Sequence, residues 1–272
     1  MEGFLDIIRD IWRSKAILAI DSEDQCRGAI PYLGTFEGFE SSIARWRRGR
    51  GVAIIAEYKR ASPLEIINLW QDLREYFYQL EDLVAGFSII VEKEWFMGSP
   101  RYIYILRRLG YRGPILAKGF IFYEKQIDLY RSCGASSILL IAEALELEEL
   151  STLYQYSVEK GLEPVVEINS FEELEKIMKK ISIKILGINS RNLRTLEISR
   201  EHMLDIVRRA RREYPDLIII AESGMKSTKD IVEAIEAGAD ACLIGTSLMK
   251  NPNRSLVLKE LYAMLSLSHS GV

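Results

Sequence analysis

Eight short and nearly continuous apolar runs recur along the chain, and each is separated from the next by a longer segment that carries charged residues at helical spacing. Runs rich in Val, Ile and Leu are typical of strands buried on both faces, as in a parallel sheet. The intervening segments suit crossover helices, for example 170–180 and 226–237, the second of which is followed by Gly238 as a stop signal. The runs are Val52–Glu57, Phe87–Glu92, Pro114–Lys118, Ser137–Ile141, Glu163–Glu167, Lys184–Asn189, Leu217–Glu222 and Ala241–Gly245.

The number of these units predicts the fold class. Eight strand-helix units within 272 residues match an α/β fold of the (β/α)8 TIM barrel type. A doubly wound sheet is the alternative, but it usually carries a glycine-rich turn after an early strand, and Glu57–Pro63 contains no glycine. We therefore expect residues 1–272 to form a single (β/α)8 barrel domain, in which residues 1–48 are an N-terminal helical extension packed on the barrel.

The N-terminal segment has the pattern of an amphipathic helix. Leu5, Ile8, Trp12 and Ala16 fall at helical spacing, and charged residues interrupt the apolar stretch 4–20. A signal peptide or a membrane-spanning helix needs an unbroken apolar stretch. We therefore expect a soluble, cytoplasmic protein with no membrane partner.

The charge balance argues against a general nucleic-acid-binding surface. The chain has 36 Lys and Arg against 39 Asp and Glu, a formal net charge of −3. A protein that holds a nucleic-acid backbone usually presents an excess of positive charge. We therefore expect no nucleic-acid partner, although a local cationic pocket remains compatible with these figures.

The cysteines and histidines point to no metal site and no disulfide framework. Cys26, Cys133 and Cys242 are odd in number, widely spaced and in no Cys-x-x-Cys pair, as is typical of a protein in a reducing compartment. Cys133 and Cys242 lie in apolar sequence, which predicts inert buried thiols. His202 lies in a charged helical stretch and His269 lies in the tail, so neither is expected to be a metal ligand or a catalytic group.

Charged and polar residues follow the ends of the predicted strands, where barrel enzymes place their reactive groups. Glu57 and Lys59 are two residues apart, so they share one face of an extended strand. Acids and bases crowded in a partly desolvated mouth can have pKa values near neutrality, as general acid-base catalysis requires. A set of structural salt bridges is the alternative interpretation of any one pair. The strand ends carry Glu57, Lys59, Glu92, Lys118, Glu167, Asn189, Arg191, Glu222, Ser223, Gly245, Thr246 and Ser247.

Small residues after the last two predicted strands indicate a phosphate site. Glu222–Met225 and Ile244–Ser247 supply glycines and hydroxyls where barrel enzymes often bind phosphate through backbone N–H groups and a helix N-terminus. Glycine permits close backbone approach, and hydroxyls add hydrogen-bond donors. A phosphorylated small molecule is therefore the predicted substrate.

Seven strings of residues around these strand ends resemble one known family. From about Thr35 to Pro252 the chain is similar to indole-3-glycerol phosphate synthase, a tryptophan-pathway enzyme, and particularly to its archaeal forms. One such string is a weak signal, whereas seven in order at suitable spacing are highly specific. The strings are Ile55–Pro63, Glu92–Ser99, Pro114–Phe120, Val166–Asn169, Gly187–Leu193, Ala221–Gly224 and Leu243–Met249.

The resemblance implies a carboxy-lyase reaction. The family converts 1-(2-carboxyphenylamino)-1-deoxyribulose 5-phosphate into indole-3-glycerol phosphate, with release of carbon dioxide and water. By similarity, Lys118 is the principal acid at ring closure, Glu167 assists acid-base chemistry, Glu57 and Lys59 act in dehydration and electrostatic positioning, and Asn189 holds substrate hydroxyls. The division of acid roles between Lys118 and Lys59 is left open. No metal or organic cofactor is implied.

The resemblance also implies residues that bind the substrate. Arg191 suits the anthranilate carboxylate as a fork-shaped cation. Five apolar residues are expected to form the pocket for the aromatic ring, namely Phe96, Phe120, Leu139, Leu193 and Ile244. Ordinary core is the alternative interpretation of each. Substrate contacts are expected from Ser62, Phe96, Phe120, Leu139, Arg191, Leu193, Glu222, Ser223 and Ile244. Phosphate contacts are expected from Lys59, Gly224, Gly245 and Thr246.

Three departures from the family pattern fall near the predicted site. The family usually has Lys-Asp-Phe where this chain has Gly119 between Lys118 and Phe120, so a carboxylate beside the proposed acid is absent, and Glu92 is the candidate to compensate for it. The first βα loop usually reads Ser-Pro-Ser followed by glycine, whereas here Leu64–Ile66 follow Ser-Pro. The second strand has Ile-Val-Glu in place of Leu-Thr-Glu.

Two other functions compete with this interpretation. Another phosphosugar barrel enzyme, such as a phosphoribosylanthranilate isomerase, would share the phosphate end but would not need Lys118, Glu167 and Arg191 in this array. A weakened paralogue that binds ligand without turnover is the second, since Gly119 and the first loop are unusual. The chain carries no second pathway domain in its sequence pattern, so a monomer is expected.

Overall fold

The computed structural model describes Cys26 and residues 36–269, and in this part of the chain eight parallel strands close into a barrel. Each strand pairs with its neighbours in sequence, and β1 closes the barrel by pairing with both β2 and β8. The fold class is therefore confirmed as a (β/α)8 TIM barrel. The strands are β1 Ala53–Tyr58, β2 Gly86–Ile90, β3 Ile115–Lys118, β4 Ser137–Ile141, β5 Glu163–Ile168, β6 Ile185–Asn189, β7 Ile218–Glu222 and β8 Ala241–Ile244.

The predicted apolar runs are the barrel strands. The run Ser137–Ile141 matches its strand at both ends, and the other bounds differ by at most two residues. Nearly every strand residue is buried because side chains on one face fill the barrel and those on the other contact the helices. The continuous apolar pattern follows from burial on both faces.

Helices alternate with the strands and cover the barrel. Ser170 and Ser227 each begin a helix by accepting a hydrogen bond at the side-chain oxygen, in capping boxes with Glu173 and Asp230. Gly238 ends a helix at φ 113°, as predicted for a stop signal. Among the described residues, no helix combines the length and apolar character that crossing a membrane requires. The helices are α1 Phe39–Arg50, α2 Leu73–Leu80, α3 Arg101–Arg108, α4 Glu124–Ser132, α5 Leu147–Glu159, α6 Phe171–Met178, α7 Arg200–Glu213, α8 Thr228–Ala237, α9 Thr246–Lys250 and α10 Arg254–His269.

Helix α1 begins in the described part of the predicted extension, and a carboxylate from the barrel caps it. The helix begins after Gly38, which has no side chain to accept from the first turn. Glu163 Oε2, at the start of β5, accepts hydrogen bonds from the backbone N–H groups of Phe39 and Glu40 instead. A Cβ atom at Gly38 would overlap the Glu163 carboxylate, so a larger residue there would displace this cap. The predicted helix 4–20 lies outside the described residues.

Removing this cap should weaken the attachment of α1. We expect Glu163→Ala to lower the free energy of unfolding by about 1–2 kcal/mol, because two N–H groups lose a charged acceptor at a helix N-terminus. Denaturant unfolding measures the change. Glu260→Ala, an exposed position in α10, is the matched control and should stay within about 0.5 kcal/mol of the parent. Equal stability of the two variants would contradict the capping role.

The prediction for Cys133 was wrong, because Cys133 forms a disulfide with Cys26. Their Cα atoms are 5.5 Å apart, within the range that a disulfide spans, and both side chains are buried. An odd number of widely spaced cysteines carries no information about which two meet in space. Cys242 is a buried thiol, as predicted, and burial raises its pKa to about 12. Disulfides inside cells are uncommon, with hyperthermophilic organisms as the documented exception.

Candidate active site

A cavity of about 510 Å³ opens at the carboxyl ends of the barrel strands. Parallel strands in a closed barrel all end on one side, so the residues after each strand meet around this cavity. Of the predicted site residues, Ser62 and Glu222 do not line it: Ser62 lies in the first βα loop, and Glu222 is fully buried. The predicted residues on its wall are Glu57, Lys59, Phe96, Lys118, Phe120, Leu139, Glu167, Asn189, Arg191, Leu193, Ser223, Gly224, Ile244, Gly245 and Thr246.

Lys118 lies between two carboxylates at the end of β3. Its Nζ donates to Glu167 Oε2 at 3.1 Å and also contacts Glu222 Oε2. Burial lowers the pKa of Lys118, but the charges of Glu222, Glu167 and Glu57 outweigh burial and raise it above its ordinary value. The amine is therefore a protonated cation at neutral pH that can donate a proton or a hydrogen bond into the cavity.

Glu222 was predicted from its strand-end position to contact the substrate, but its side chain is buried and does not line the cavity. Its side chain is fully buried, and Oε1 accepts no hydrogen bond from the residues that the structure describes. Gly187 provides the space on the adjacent strand, since a Cβ atom there would lie 2.5 Å from Glu222 Oε1. Burial raises the pKa of Glu222 to about 8, against the opposing charge of Lys118. Its carboxyl group can therefore exchange a proton near neutral pH.

Glu57 and Lys59 form the second acid-base pair at the mouth. Lys59 Nζ lies 2.7 Å from Glu57 Oε2, and both side chains come from the end of β1. Burial tends to raise the pKa of Glu57, but Lys59 and Lys118 together lower it below its ordinary value. Gly245 leaves room for this carboxylate, because a Cβ atom there would lie 2.2 Å from Glu57 Oε2. Glu57 is therefore an ionised base next to a cation.

The segment after β6 connects Glu167 with the predicted carboxylate-binding arginine. Asn189 Nδ2 donates to Glu167 Oε1 at 3.0 Å, and Asn189 Oδ1 accepts from the Arg191 backbone N–H at 2.9 Å. Asn169 Nδ2 donates to the carbonyl oxygens of Asn189 and Arg191 and holds this turn. Arg191 Nη1 donates to the carbonyl oxygen of Leu196. One chain of hydrogen bonds thus runs from the Glu167 carboxylate through Asn189 to the backbone of Arg191.

Glu92 does not take the place of the missing family carboxylate beside Lys118. Its two oxygens accept hydrogen bonds from the backbone N–H groups of Glu94, Trp95 and Phe96 at 2.7–2.9 Å. Burial raises its pKa, and these three hydrogen bonds oppose the rise. Glu92 therefore builds the loop after β2, and the carboxylates that act on Lys118 are Glu222, Glu167 and Glu57. The compensation proposed from sequence was assigned to the wrong residue.

The family aspartate has no space at Gly119 in this chain. A Cβ atom there would lie 2.8 Å from Val91 Cγ2, and Val91 is a stiff, buried, β-branched side chain. We expect Gly119→Asp to lower the free energy of unfolding by about 1–3 kcal/mol through this overlap. Adding Val91→Ala should recover part of the loss, so a double-mutant cycle in denaturant should show favourable coupling. Additive effects of the two changes would rule out the steric explanation.

Two tight turns line the other end of the cavity. Ser223 and Gly224, directly after β7, have φ of 65° and 73°, a conformation that a serine adopts rarely and at a cost of about 1–3 kcal/mol. Ser247 Oγ donates to the carbonyl oxygen of Met225 at 2.7 Å and joins this turn to the one after β8. Such strain is typical of backbone shaped for a ligand, here at the predicted phosphate position.

Apolar side chains line the same cavity as these charged groups. The rings of Phe96 and Phe120 lie 6.5 Å apart by their centroids, and Leu139, Leu193 and Ile244 line the same cavity. The cavity is therefore lined both by apolar side chains and by the charged groups of lysine, arginine and glutamate residues. Such a combination suits a flat aromatic ring that carries anionic groups.

Sequence reasoning missed three charged residues on the cavity wall. Glu65 lies in the first βα loop, Lys226 follows the turn after β7, and Lys250 is the last residue of α9. Lys250 lies four residues after Thr246, so helical spacing was a usable signal for it. Glu65 and Lys226 had no comparable signal, since a charged loop residue is usually solvated. No group of three or more potential ligands arranged to hold a metal ion occurs within the described residues.

Comparison with known proteins identifies relatives of the whole barrel. The family model for indole-3-glycerol phosphate synthase matches residues 35–261. An indole-3-glycerol phosphate synthase from Aeropyrum pernix is 40% identical over 223 residues, which cover 81% of this chain and 84% of that protein. The corresponding protein from Sulfurisphaera tokodaii is 42% identical over 214 residues, covering 77% of this chain and 82% of that protein.

Solved structures of lower identity share the fold. The 3-hexulose-6-phosphate synthase from Salmonella typhimurium superposes with a TM-score of 0.62 at 11% identity, covering 80% of this chain and 100% of that one. The thiamine phosphate pyrophosphorylase from Pyrococcus furiosus superposes with a TM-score of 0.56 at 17% identity, covering 80% and 97%. At such identities these structures support the barrel and not a shared activity.

Proposed function

The chain belongs to the indole-3-glycerol phosphate synthase family, and from that membership we propose how its residues divide the reaction. It is a carboxy-lyase of tryptophan biosynthesis that acts on 1-(2-carboxyphenylamino)-1-deoxyribulose 5-phosphate. The observation that carries the assignment of roles is the position of Lys118, which contacts Glu167 and Glu222 inside a cavity lined by the predicted phosphate turns.

Lys118 is the acid of ring closure. The aromatic carbon that bears the carboxylate attacks the substrate ketone, and the ketone oxygen gains negative charge as the carbon-carbon bond forms. A cationic amine directed into the cavity stabilises that charge and delivers the proton that makes the oxygen a hydroxyl group. Glu167, 3.1 Å from Lys118 Nζ, keeps the amine protonated and oriented.

Decarboxylation follows at the apolar wall. Loss of carbon dioxide returns the electron pair of the broken carbon-carbon bond to the ring system. A carboxylate next to Phe96 and Phe120 is poorly solvated, and its departure removes that unfavourable contact. Arg191 binds the carboxylate before this step and sets its position relative to the ring.

Glu57 and Lys59 act in the dehydration. The hydroxyl group formed at ring closure leaves as water, which requires an acid at the oxygen and a base for the proton released from the ring. Glu57 has a lowered pKa and is ionised, so it suits the base, and Lys59 at 2.7 Å suits the acid and also the substrate phosphate. Asn189 holds the substrate hydroxyls. Backbone N–H groups at Gly224, Gly245 and Thr246 bind the phosphate, with Ser223 beside them.

Proton exchange at Glu222 should appear in the pH dependence. Below its pKa of about 8 the Glu222 carboxyl is neutral, and above it an added negative charge lies next to Lys118 and repels an anionic substrate. The substrate phosphate is already ionised there. We expect kcat/KM to fall above pH 8 by up to about tenfold, the factor that corresponds to 1.4 kcal/mol. Glu222→Gln should remove this limb of the profile, and its persistence would exclude Glu222 as the titrating group.

One assay tests the proposed function. Purified protein mixed with the carboxyphenylamino-deoxyribulose phosphate should produce indole-3-glycerol phosphate, followed by its fluorescence. Ligand binding without product would contradict the proposal and identify a weakened paralogue instead. Phosphoribosylanthranilate serves as the control substrate, since only an isomerase would consume it. We also propose that residues 1–48 pack on the barrel as part of one domain, and that the protein acts as a monomer in the cytosol.

A further inference from the structure

A carboxylate on the first βα loop extends into the cationic mouth of the cavity. The loop after β1 forms a small hairpin, in which Ala61–Ser62 pairs with Glu65–Ile66. Glu65 Oε2 lies 2.6 Å from Lys250 Nζ, and both residues line the cavity beside the predicted phosphate turns. This carboxylate stands where the family pattern usually has glycine, as the sequence comparison of the loop indicated.

Hydrogen bonds other than this ion pair also hold the hairpin. Asn68 Nδ2 donates to the carbonyl oxygen of Met249 at 3.1 Å, and the Ala61 N–H donates to the carbonyl oxygen of Phe96 at 3.2 Å. The N–H groups of Ile67 and Asn68 both donate to the carbonyl oxygen of Arg60 and close the base of the hairpin. These contacts hold the loop at both ends, so we expect the loop to keep its position when the contact between Glu65 and Lys250 breaks.

The charge of Glu65 also reaches the predicted carboxylate-binding residue. Burial lowers the pKa of Arg191, and the negative charges of Glu57 and Glu65 oppose that change. The negative charge of Glu65 therefore acts on two cations of the cavity, Lys250 beside the phosphate turns and Arg191, which suits the substrate carboxylate. A substrate with anionic groups at both ends must meet these same cations.

We propose that Glu65 is an internal counter-anion of the cavity, which pairs with Lys250 and yields that lysine to the substrate phosphate when substrate binds. The proposal rests on the proposed function, because it assumes that the phosphate binds at the turns after β7 and β8. In this scheme Glu65 competes with the substrate phosphate for Lys250 and takes no part in the chemical steps. Lys250 becomes an additional phosphate-binding residue.

Because the pair is exposed to water, exchanging its carboxylate for a phosphate should require little free energy. The side chains of Glu65 and Lys250 are 46% and 47% exposed, and an ion pair of this kind contributes little to stability because water screens it. A phosphate group presents more negative charge than a carboxylate and accepts several hydrogen bonds, so it displaces the carboxylate from the amine. The cost of the exchange should therefore appear as a modest loss of substrate affinity.

Two variants with opposite expected effects test the proposal. In Glu65→Gln, KM for the substrate and Kd for inorganic phosphate should both fall about two- to fivefold with kcat unchanged, because a competing anion is lost. In Lys250→Met, both constants should rise by about the same factor, because the phosphate loses a cation. Glu148→Gln removes a carboxylate from a surface ion pair on α5 and is the matched control, with no expected change in either constant.

The direction of the changes separates this proposal from a simple latch. If the pair only held the loop over the cavity, both variants would raise KM or lower kcat, and that result would overturn the proposal. Unchanged phosphate affinity in Glu65→Gln would overturn it as well. Phosphate binding by calorimetry requires no turnover, so these outcomes can be judged even if the parent protein forms no product, which would instead refute the proposed function.

Discussion

Replacing Lys118 by Met should lower kcat by about 10²- to 10⁴-fold, the range in which a positioned general acid contributes. The loss has two causes. No proton donor remains at the ketone oxygen, and Glu167 and Glu222 lose the cation that both contact. Single-turnover fluorescence measures the chemical step, and unfolding in denaturant checks that the variant is folded, since a buried carboxylate left without its cation destabilises a protein.

A second substitution separates the charge of Lys118 from its proton. Lys118→Arg keeps a cation between the carboxylates, but a guanidinium does not release its proton in this pH range. We therefore expect nearly normal stability with turnover still reduced by at least about 10²-fold. Lys125→Met, at an exposed position of α4, is the control and should keep full activity. Full turnover in Lys118→Arg would transfer the acid role to another residue, with Lys59 as the first candidate.

Breaking the disulfide should have the largest effect on stability. Cys26 and Cys133 are 107 residues apart, and the loop-entropy model gives about 4.7 kcal/mol for a loop of 100 residues. Because measured effects are often smaller, we expect Cys26→Ser to lower the free energy of unfolding by about 2–4 kcal/mol and Tm by roughly 5–15 °C. Activity at moderate temperature should be retained, since Cys133 precedes β4 and lies at the end of the barrel opposite the cavity.

Reduction provides an independent measurement of the same bond. A phosphine reductant should lower Tm of the parent protein to that of Cys26→Ser and should leave Cys26→Ser unchanged. Alkylation of the unfolded, unreduced protein should label one cysteine, Cys242, and reduction should raise the number to three. Three labelled cysteines without reduction would show that the bond does not form in solution.

The barrel and most of its site follow from local sequence patterns. Each strand is a short apolar run because it is buried on both faces, and the groups at the cavity follow those runs directly, as Lys118 does at the end of β3. Such features depend on neighbours in sequence. Parallel strands that close on one another then bring these groups together without further information.

The features that sequence did not reveal are contacts between distant segments. The disulfide joins residues 107 positions apart, and the contact of Glu222 with Lys118 joins residues on strands β7 and β3. Glu92 follows a strand as the other site carboxylates do, and its position in the sequence does not indicate the three backbone hydrogen bonds that occupy its oxygens. Spacing along the chain predicts which residues share a strand end, but not which of their atoms touch.

The close approach of Gly245 to Glu57 limits how this site can be redesigned. Gly245 belongs to the proposed phosphate turn, and Glu57 is the proposed dehydration base. A side chain at 245 would enter the space of the Glu57 carboxylate, because even a methyl group there would overlap Glu57 Oε2. A library that varies Gly245 to accept a different anion would therefore also displace the base. Directed evolution toward new substrates should begin at Lys226 and Lys250, which line the same end of the cavity and leave Glu57 undisturbed.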